Sequence, residues 1–276
     1  MDTKIGQEAL RVGVIGYGTV GADVVRALRR EEAGRAALTA VLVRDISKYK
    51  STEEAELPLT DSMAEFLACQ PDVVVECAGH AALRTCGAEV LASGADLVVV
   101  SVGALAEDEL LEHFTRAALA AGSRLVVPSA AIGGLDRIAA GSVGQMERVT
   151  LTTRKPPRAW YGTRVEQEVD LATLAESYCA FEGPAREAAR LFPESVNVSA
   201  ALSLAGIGMD RTQVRVFADP TIEHNTHEIE AHGHFGSIRL HIANTPSKEN
   251  PKTGYIVAMS VIKTLRGMTA PLLIGL

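Results

Sequence analysis

The stretch Arg11–Arg30, RVGVIGYGTVGADVVRALRR, constrains this chain more than any other, because it reads as a strand, a glycine turn and a helix without interruption. Val12, Val14 and Ile15 form the short apolar run of a buried parallel strand, and Gly16, Gly18 and Gly21 follow at G-x-G-x-x-G spacing. Each glycine has a physical task in that context. Gly16 permits the tight turn, Gly18 leaves room for a pyrophosphate to reach the backbone, and Gly21 lets the new helix lie close to the strand. The first helical residues, Thr19 and Val20, belong to a helix start whose N–H groups and positive dipole end suit phosphate. Val20, Val24, Val25 and Leu28 recur on one face at helical spacing. The segment is therefore read as a dinucleotide site; the plainer alternative is a glycine-rich turn in some other α/β protein.

The chain then alternates. A second strand is expected over Thr39–Val43, ending in Arg44-Asp45. An acidic residue at this distance from the glycines suits the ribose hydroxyls of NAD, and an arginine suits the 2′-phosphate of NADP; this chain has both, so either cofactor is open. Ser62 and Glu65 have capping-box spacing before a helix over Ser62–Ala68, and Pro71 leads into the strand Val73–Val75. That strand ends in Glu76-Cys77-Ala78-Gly79-His80, where Cys77, Ala78 and His80 are candidates to line the nicotinamide side, His80 being explained more simply as a helix-start residue. Helices over Ala81–Ala92 and Glu107–Ala121, and strands over Leu97–Val100 and Arg124–Val127, complete a βαβ alternation. The fold class expected is α/β: a Rossmann-type doubly wound parallel sheet.

Beyond Pro128 the pattern changes. SAAIGG at Ser129–Gly134 leads into a helix near Leu135–Ala140, and Val149–Arg154 alternates as a strand before Pro156-Pro157. Further strands are expected near Val214–Phe217, Thr226–Phe235 and Ile238–Ala243, with a turn at Gly236-Ser237, which suggests a second, smaller mixed α+β domain with an antiparallel sheet. Pro246–Gly254 reads as a linker, and Tyr255–Leu265 as a helix that returns to the first domain. The domains predicted are 1–130 with 246–276 for dinucleotide binding, and 131–245 for substrate, catalysis and dimerisation.

Composition narrows the function classes. A net charge of -7 over 276 residues argues against a general nucleic-acid binder. Cys69, Cys77, Cys86 and Cys179 form no C-x-x-C pair and no disulfide framework, so each is expected as a small, buried, reduced side chain, Cys179 within a helix. The opening residues have neither the basic nor the long apolar part of a secretory signal, and Leu97–Ala106 is too short to span a bilayer. A cytoplasmic protein without membrane contact is expected.

Five of seven histidines fall between His224 and His241. On a strand over Thr226–Phe235, His227 shares a face with Ile229, Ala231 and Phe235, while His232 and His234 share the other with Glu228 and Glu230. His232, His234 and His241 are explained more simply by a solvated sheet face than by a metal, and no metal is expected. His227 points to a core or a cleft, as a hydrogen-bonded core histidine or as a catalytic one. Asn197, in PESVNVSAALSLAG, is a helix cap or an amide partner for the nicotinamide end of the cofactor.

With these residues assembled, the sequence resembles the L-aspartate dehydrogenase family over nearly its whole length. The resemblance is carried by GYGTVG, ECAGHAAL, VVSVGAL, PSAAIGGLDRI, TTRKPPRAW, ESVNVSAALSLAGIG, DPTIEHNTHEIEAHGHFG and NTPSKENPKTGY. It implies oxidation of L-aspartate to iminoaspartate with NAD or NADP, the imine hydrolysing to oxaloacetate and ammonia or feeding NAD biosynthesis. It implies further that His227 is the catalytic histidine, that Ala131 and Asn197 touch the cofactor, and that the chain forms a homodimer. A dicarboxylate calls for cationic donors, for which Arg154, Lys155, Lys248 and Lys252 are candidates. The rivals are a homoserine dehydrogenase-like or dihydrodipicolinate reductase-like enzyme, and a non-catalytic NAD(H) sensor. An acyl-enzyme mechanism would need a nucleophilic cysteine beside a histidine, a signature that Cys179 lacks.

Overall fold

The computed structural model describes residues 8–49, 56–192, 196–247 and 254–275. The chain divides into two compact units, Met1–Pro128 with Ala258–Leu276, and Ser129–Val257.

The first unit runs β1 (Leu10–Ile15), α1 (Thr19–Arg29), β2 (Ala36–Leu42), β3 (Leu59–Thr60), α2 (Met63–Ala68), β4 (Val73–Glu76), α3 (His80–Ala92), β5 (Asp96–Val99), α4 (Asp108–Ala121) and β6 (Leu125–Val126). Among the described residues its strands form one sheet in the order β3-β2-β1-β4-β5-β6, parallel throughout. This is the doubly wound Rossmann order, and its direction reverses between β1 and β4, the switch point at which such sheets take ligands. Both faces are covered, as near-continuous apolar strands require. Val12, Val14, Val73, Val75 and Val98 meet Val24, Val25 and Leu28 of α1 in one buried cluster. Toward the other helices, Gly13 lies under the Phe66 ring and Gly87 under Phe114, so close that a Cβ at either position would overlap the aromatic carbons. The α2 start is half of a capping box: Ser62 accepts from the Glu65 N–H at 3.4 Å, but the Glu65 carboxylate turns to the Thr60 hydroxyl.

The second unit contains α5 (Leu135–Ser142), β7 (Met146–Lys155), α6 (Val165–Glu168), β8 (Tyr178–Pro184), α7 (Ala185–Leu191), α8 (Val196–Ala205), β9 (Gln213–Ala218), β10 (Asn225–Gly233) and β11 (Gly236–Asn244). The sheet order is β11-β10-β7-β9-β8. It corrects the expected antiparallel sheet, because β7 and β9 pair in parallel, the long segment between them acting as a crossover. Cys179 also departs from expectation: it lies on β8, not in a helix. This edge strand has no fully buried residue and a register shift between Cys179 and Phe181, so it lacks the alternation that marks a strand. Cys69 and Cys179 are exposed rather than buried. The β10–β11 turn is His234-Phe235, with Gly233 opposite Gly236, so His234 and Phe235 sit in the turn and not on the strand. Gly236, at φ +99°, takes the left-handed conformation that a tight hairpin demands.

The helix α9 (Ile256–Thr269) returns the chain to the first unit, where Val261 and Leu265 join the cluster with Val12, Val14 and Val25.

Candidate active site

The cofactor half is built at the C-terminal ends of β1 and β4. Gly16 has φ +96°, and an ideal Cβ there would stand 2.7 Å from the Ala78 Cβ and 2.9 Å from the Ala78 nitrogen, so glycine is required twice over. Gly21 meets the Gly16 carbonyl oxygen so closely that any Cβ would collide with it. Gly18 is different. A Cβ on it would meet no protein atom within 4 Å, and the residue is exposed. It is also the N-cap of α1, with no side-chain hydrogen bond capping the helix. Open space and an uncapped helix start suit the pyrophosphate of a dinucleotide, which would lie against the backbone of Gly18, Thr19 and Val20.

Arg44 and Asp45 lie just past β2. Arg44 is exposed, whereas one oxygen of Asp45 accepts from the Ser47 N–H at 2.9 Å and the Ser47 hydroxyl at 2.6 Å, opening a short 3₁₀ turn over Ile46–Tyr49. The Tyr49 ring meets Tyr17 of the glycine turn edge-on, with centroids 5.8 Å apart.

At the end of β4, Cys77 and Ala78 pack directly on the glycine turn. The Cys77 thiol donates to the Ile15 carbonyl at 3.4 Å, and burial pushes its pKa up, so it remains a thiol. The Ala78 N–H donates inward to Glu76 at 2.8 Å, and its methyl group packs on Gly16. His80 opens α3, the helix-start position anticipated for it.

In the second unit Thr153, Lys155 and His227 gather on one face of the sheet. His227 lies opposite Thr153 in the β10–β7 register, and Lys155 follows Thr153 on the same face of β7. Thr153 Oγ1 is 3.1 Å from His227 Nδ1, and the two residues are 1% and 5% exposed. Burial, reinforced by the positive charge of Lys155, pushes the His227 pKa down to about 4. The imidazole is therefore neutral at pH 7, with Nδ1 engaged by Thr153. Lys155 is itself buried, with Nζ 5.0 Å from the centroid of the Trp160 ring.

The other basic candidates separate cleanly. Arg154 faces away from His227, paired with Asp219 at 3.1 Å and Glu228 at 3.4 Å and stacked 4.2 Å over Phe217. Lys248 and Lys252 lie outside the described residues. Asn197 is exposed in the first turn of α8. Ala131 sits in a turn after Ala130, whose φ is +49°, and its carbonyl accepts from Asn244 Nδ2 at 2.8 Å. Three groups escaped the residue-by-residue reading: Thr153, Asn244 and Glu76. Each makes its bond across a large sequence separation or beneath the surface, and the signal for each was its place in a stretch that carries the resemblance: Glu76 at the head of ECAGHAAL, Thr153 in TTRKPPRAW and Asn244 at the head of NTPSKENPKTGY. Among the described residues no group of three His, Cys, Asp or Glu side chains is gathered as a metal site, and no helix is long and apolar enough to cross a membrane.

Comparison with known proteins agrees with both halves. Residues 16–128 match a model described as the homoserine dehydrogenase NAD-binding domain, and residues 136–268 match one described as the C-terminal part of aspartate dehydrogenase. An L-aspartate dehydrogenase of Methanosarcina barkeri is 41% identical over 96% of this chain and 99% of its own. One from Pseudomonas aeruginosa is 42% identical over 93% and 96%. Among solved structures, the aspartate dehydrogenase of Thermotoga maritima superposes with a TM-score of 0.76 at 24% identity, covering 97% of this chain and all of that one. A homoserine dehydrogenase of Thiobacillus denitrificans shares the fold at a TM-score of 0.62 and 15% identity, over 96% of this chain and 75% of its own. The relatives at 41–42% identity over nearly the whole chain, together with the match of residues 136–268, show the family: this chain belongs to the L-aspartate dehydrogenase family.

Proposed function

We propose that this chain oxidises L-aspartate to iminoaspartate with NAD or NADP, the imine hydrolysing to oxaloacetate and ammonia, and that His227 is its general acid/base. The observation that carries the reading is a buried, neutral imidazole with Nδ1 engaged by Thr153. The residues Gly16, Gly18, Thr19, Val20 and Gly21 suit a nicotinamide dinucleotide, which when bound supplies the hydride acceptor. Oxidation removes the Cα hydrogen as hydride and one proton from the amino group, leaving a C=N bond. His227 takes that proton, or the one released by the water that attacks the imine.

Lys155 is the candidate of choice for a substrate carboxylate. It shares the sheet face of His227, whereas Arg154 lies on the opposite face beside Asp219 and Glu228. A carboxylate against Lys155 would offset the charge that helps to depress the His227 pKa, so an anionic substrate would make its own base stronger. Ala131 and Asn197 are proposed cofactor contacts, as is Ala78. Arg44 and Asp45 leave room for either cofactor: the exposed guanidinium suits a 2′-phosphate, and Asp45 suits ribose hydroxyls through whatever its cap to Ser47 leaves. Assembly as a homodimer in the cytoplasm, in service of NAD biosynthesis, completes the proposal.

The test is absorbance of the reduced nicotinamide with L-aspartate and either cofactor, and with oxaloacetate and ammonia in reverse. Turnover in both directions is expected, falling by roughly 10²–10⁴-fold in His227→Ala while cofactor affinity is kept. Near-normal turnover in that variant would remove His227 from the chemistry. Cofactor binding without turnover on L-aspartate would refute the substrate.

A further inference from the structure

Glu76 is fully buried at the C-terminal end of β4, and its carboxylate does not enter the chemistry above. Four donors converge on it. Oε1 accepts from the Ala78 N–H at 2.8 Å, the Gly79 N–H at 2.9 Å and the Ser101 hydroxyl at 2.9 Å, and Oε2 accepts from the Ser101 N–H at 3.1 Å. Three of the four are backbone groups, whose direction cannot be reversed. A carboxylate satisfies them all, because it accepts at both oxygens and donates at neither. Burying a charge is costly, so such a residue persists where its bonds hold something in place.

What they hold is the floor of the cofactor half. Ala78 is packed on Gly16, at the distance where a Gly16 Cβ would strike its methyl group, and Cys77 Sγ donates to the Ile15 and Gly16 carbonyls. Gly79, at φ +101°, is the N-cap of α3, and Ser101 opens the turn that follows β5. One carboxylate thus joins the ends of β4 and β5 and presses residues 77–79 against the glycine turn.

We infer that Glu76 is a positioning residue for the dinucleotide, acting through Ala78 and Gly79 on the glycine turn; this rests on reading that turn as the cofactor site. In Glu76→Gln the amide oxygen can still accept from Ala78 and Gly79, but the NH₂ group then confronts the Ser101 N–H, donor against donor. The bond to the Ser101 N–H breaks and leaves two buried donors facing each other, so the loop keeps only the Ser101 hydroxyl as its tie to the end of β5. His227, on the other unit, is untouched.

The experiment measures the dissociation constant of the reduced cofactor by fluorescence titration in four proteins: wild type, Glu76→Gln, Ser101→Ala and a control, Ser62→Ala. The control removes the α2 cap and so destabilises the same domain without reaching the glycine turn. Thermal melts fix a temperature at which all four are folded. The expected result is a rise of about tenfold for Glu76→Gln and a smaller one for Ser101→Ala, with Ser62→Ala at the wild-type value. In steady state the loss should fall on KM for the cofactor, with KM for L-aspartate and kcat at saturating cofactor within about twofold. An unchanged dissociation constant in Glu76→Gln, or an equal rise in Ser62→Ala, would overturn the inference. Should Glu76→Gln not fold, Ser101→Ala decides: wild-type affinity there overturns it. Failure of the wild-type protein to bind the cofactor would instead refute the reading of the glycine turn.

Discussion

His227 owes its properties to its neighbours. The same imidazole on the outer face of β10 would titrate near pH 6.5; facing inward beside Thr153 and Lys155 it is held near 4. Because the folded pKa lies below the unfolded one, the unfolded chain binds the extra proton between those values. Stability is then fully present above about pH 6.5 and is lost as pH falls toward 4, by roughly 3 kcal/mol in all. Denaturant melts from pH 7 to pH 4 should show this slope in the wild type and a shallower one in His227→Gln. Lys155 gives a second expectation. Lys155→Met should raise KM for L-aspartate by roughly tenfold to a hundredfold, the worth of a charged hydrogen bond, with KM for the cofactor unchanged in steady-state assays. A normal KM would assign the substrate carboxylates to other groups.

At the scale of elements, the three glycines of the turn meet three different surroundings: Gly16 is crowded by Ala78, Gly21 by the Gly16 carbonyl, and Gly18 by no protein atom. Replacing Gly21 by alanine would ordinarily favour a helix by about 1 kcal/mol, but here the new methyl group strikes the Gly16 carbonyl, and overpacking of this kind costs about 1–3 kcal/mol or more. Gly18→Ala meets no protein atom. Melting curves should therefore show Gly21→Ala clearly destabilised and Gly18→Ala lowered only by its poorer N-cap, by about 1 kcal/mol or less, while titration shows Gly18→Ala weakened for the cofactor. This division was readable from the G-x-G-x-x-G spacing, because strand, turn and helix are local in sequence. Element type along the first unit was readable for the same reason: apolar strand runs and helical periodicity repeat within windows of a few residues. β8 was not, since its residues are half exposed and its place is decided by pairing with β9. The hairpin turn was displaced by two residues because Gly236-Ser237 has turn chemistry, yet Gly233 and Gly236 instead close the last pair of the ladder.

For the whole molecule, the first unit depends on two distant stretches of chain. Val261 and Leu265 of α9 are wholly buried in the core that contains Val12 and Val14, worth about 1.5–3 kcal/mol each. A chain ended after Gly254 loses both, a large part of the 5–15 kcal/mol that typically holds a domain together. It should lose its cooperative thermal transition by circular dichroism; a normal melt would show that α9 is dispensable. Taken alone, the sequence determined the class of fold, the glycine turn, the change of pattern after Pro128, and His227 as the inward-facing histidine. These are written in short-range periodicity and in the chemistry of single residue types. Only the tertiary structure decided that Lys155 and not Arg154 joins His227, that Thr153 holds its ring, that Asn244 fixes Ala131, and that Glu76 binds two strand ends together. Each of these joins residues distant in sequence, or neighbours on opposite faces of one strand, and strand pairing and burial, which act between distant segments, select the partners.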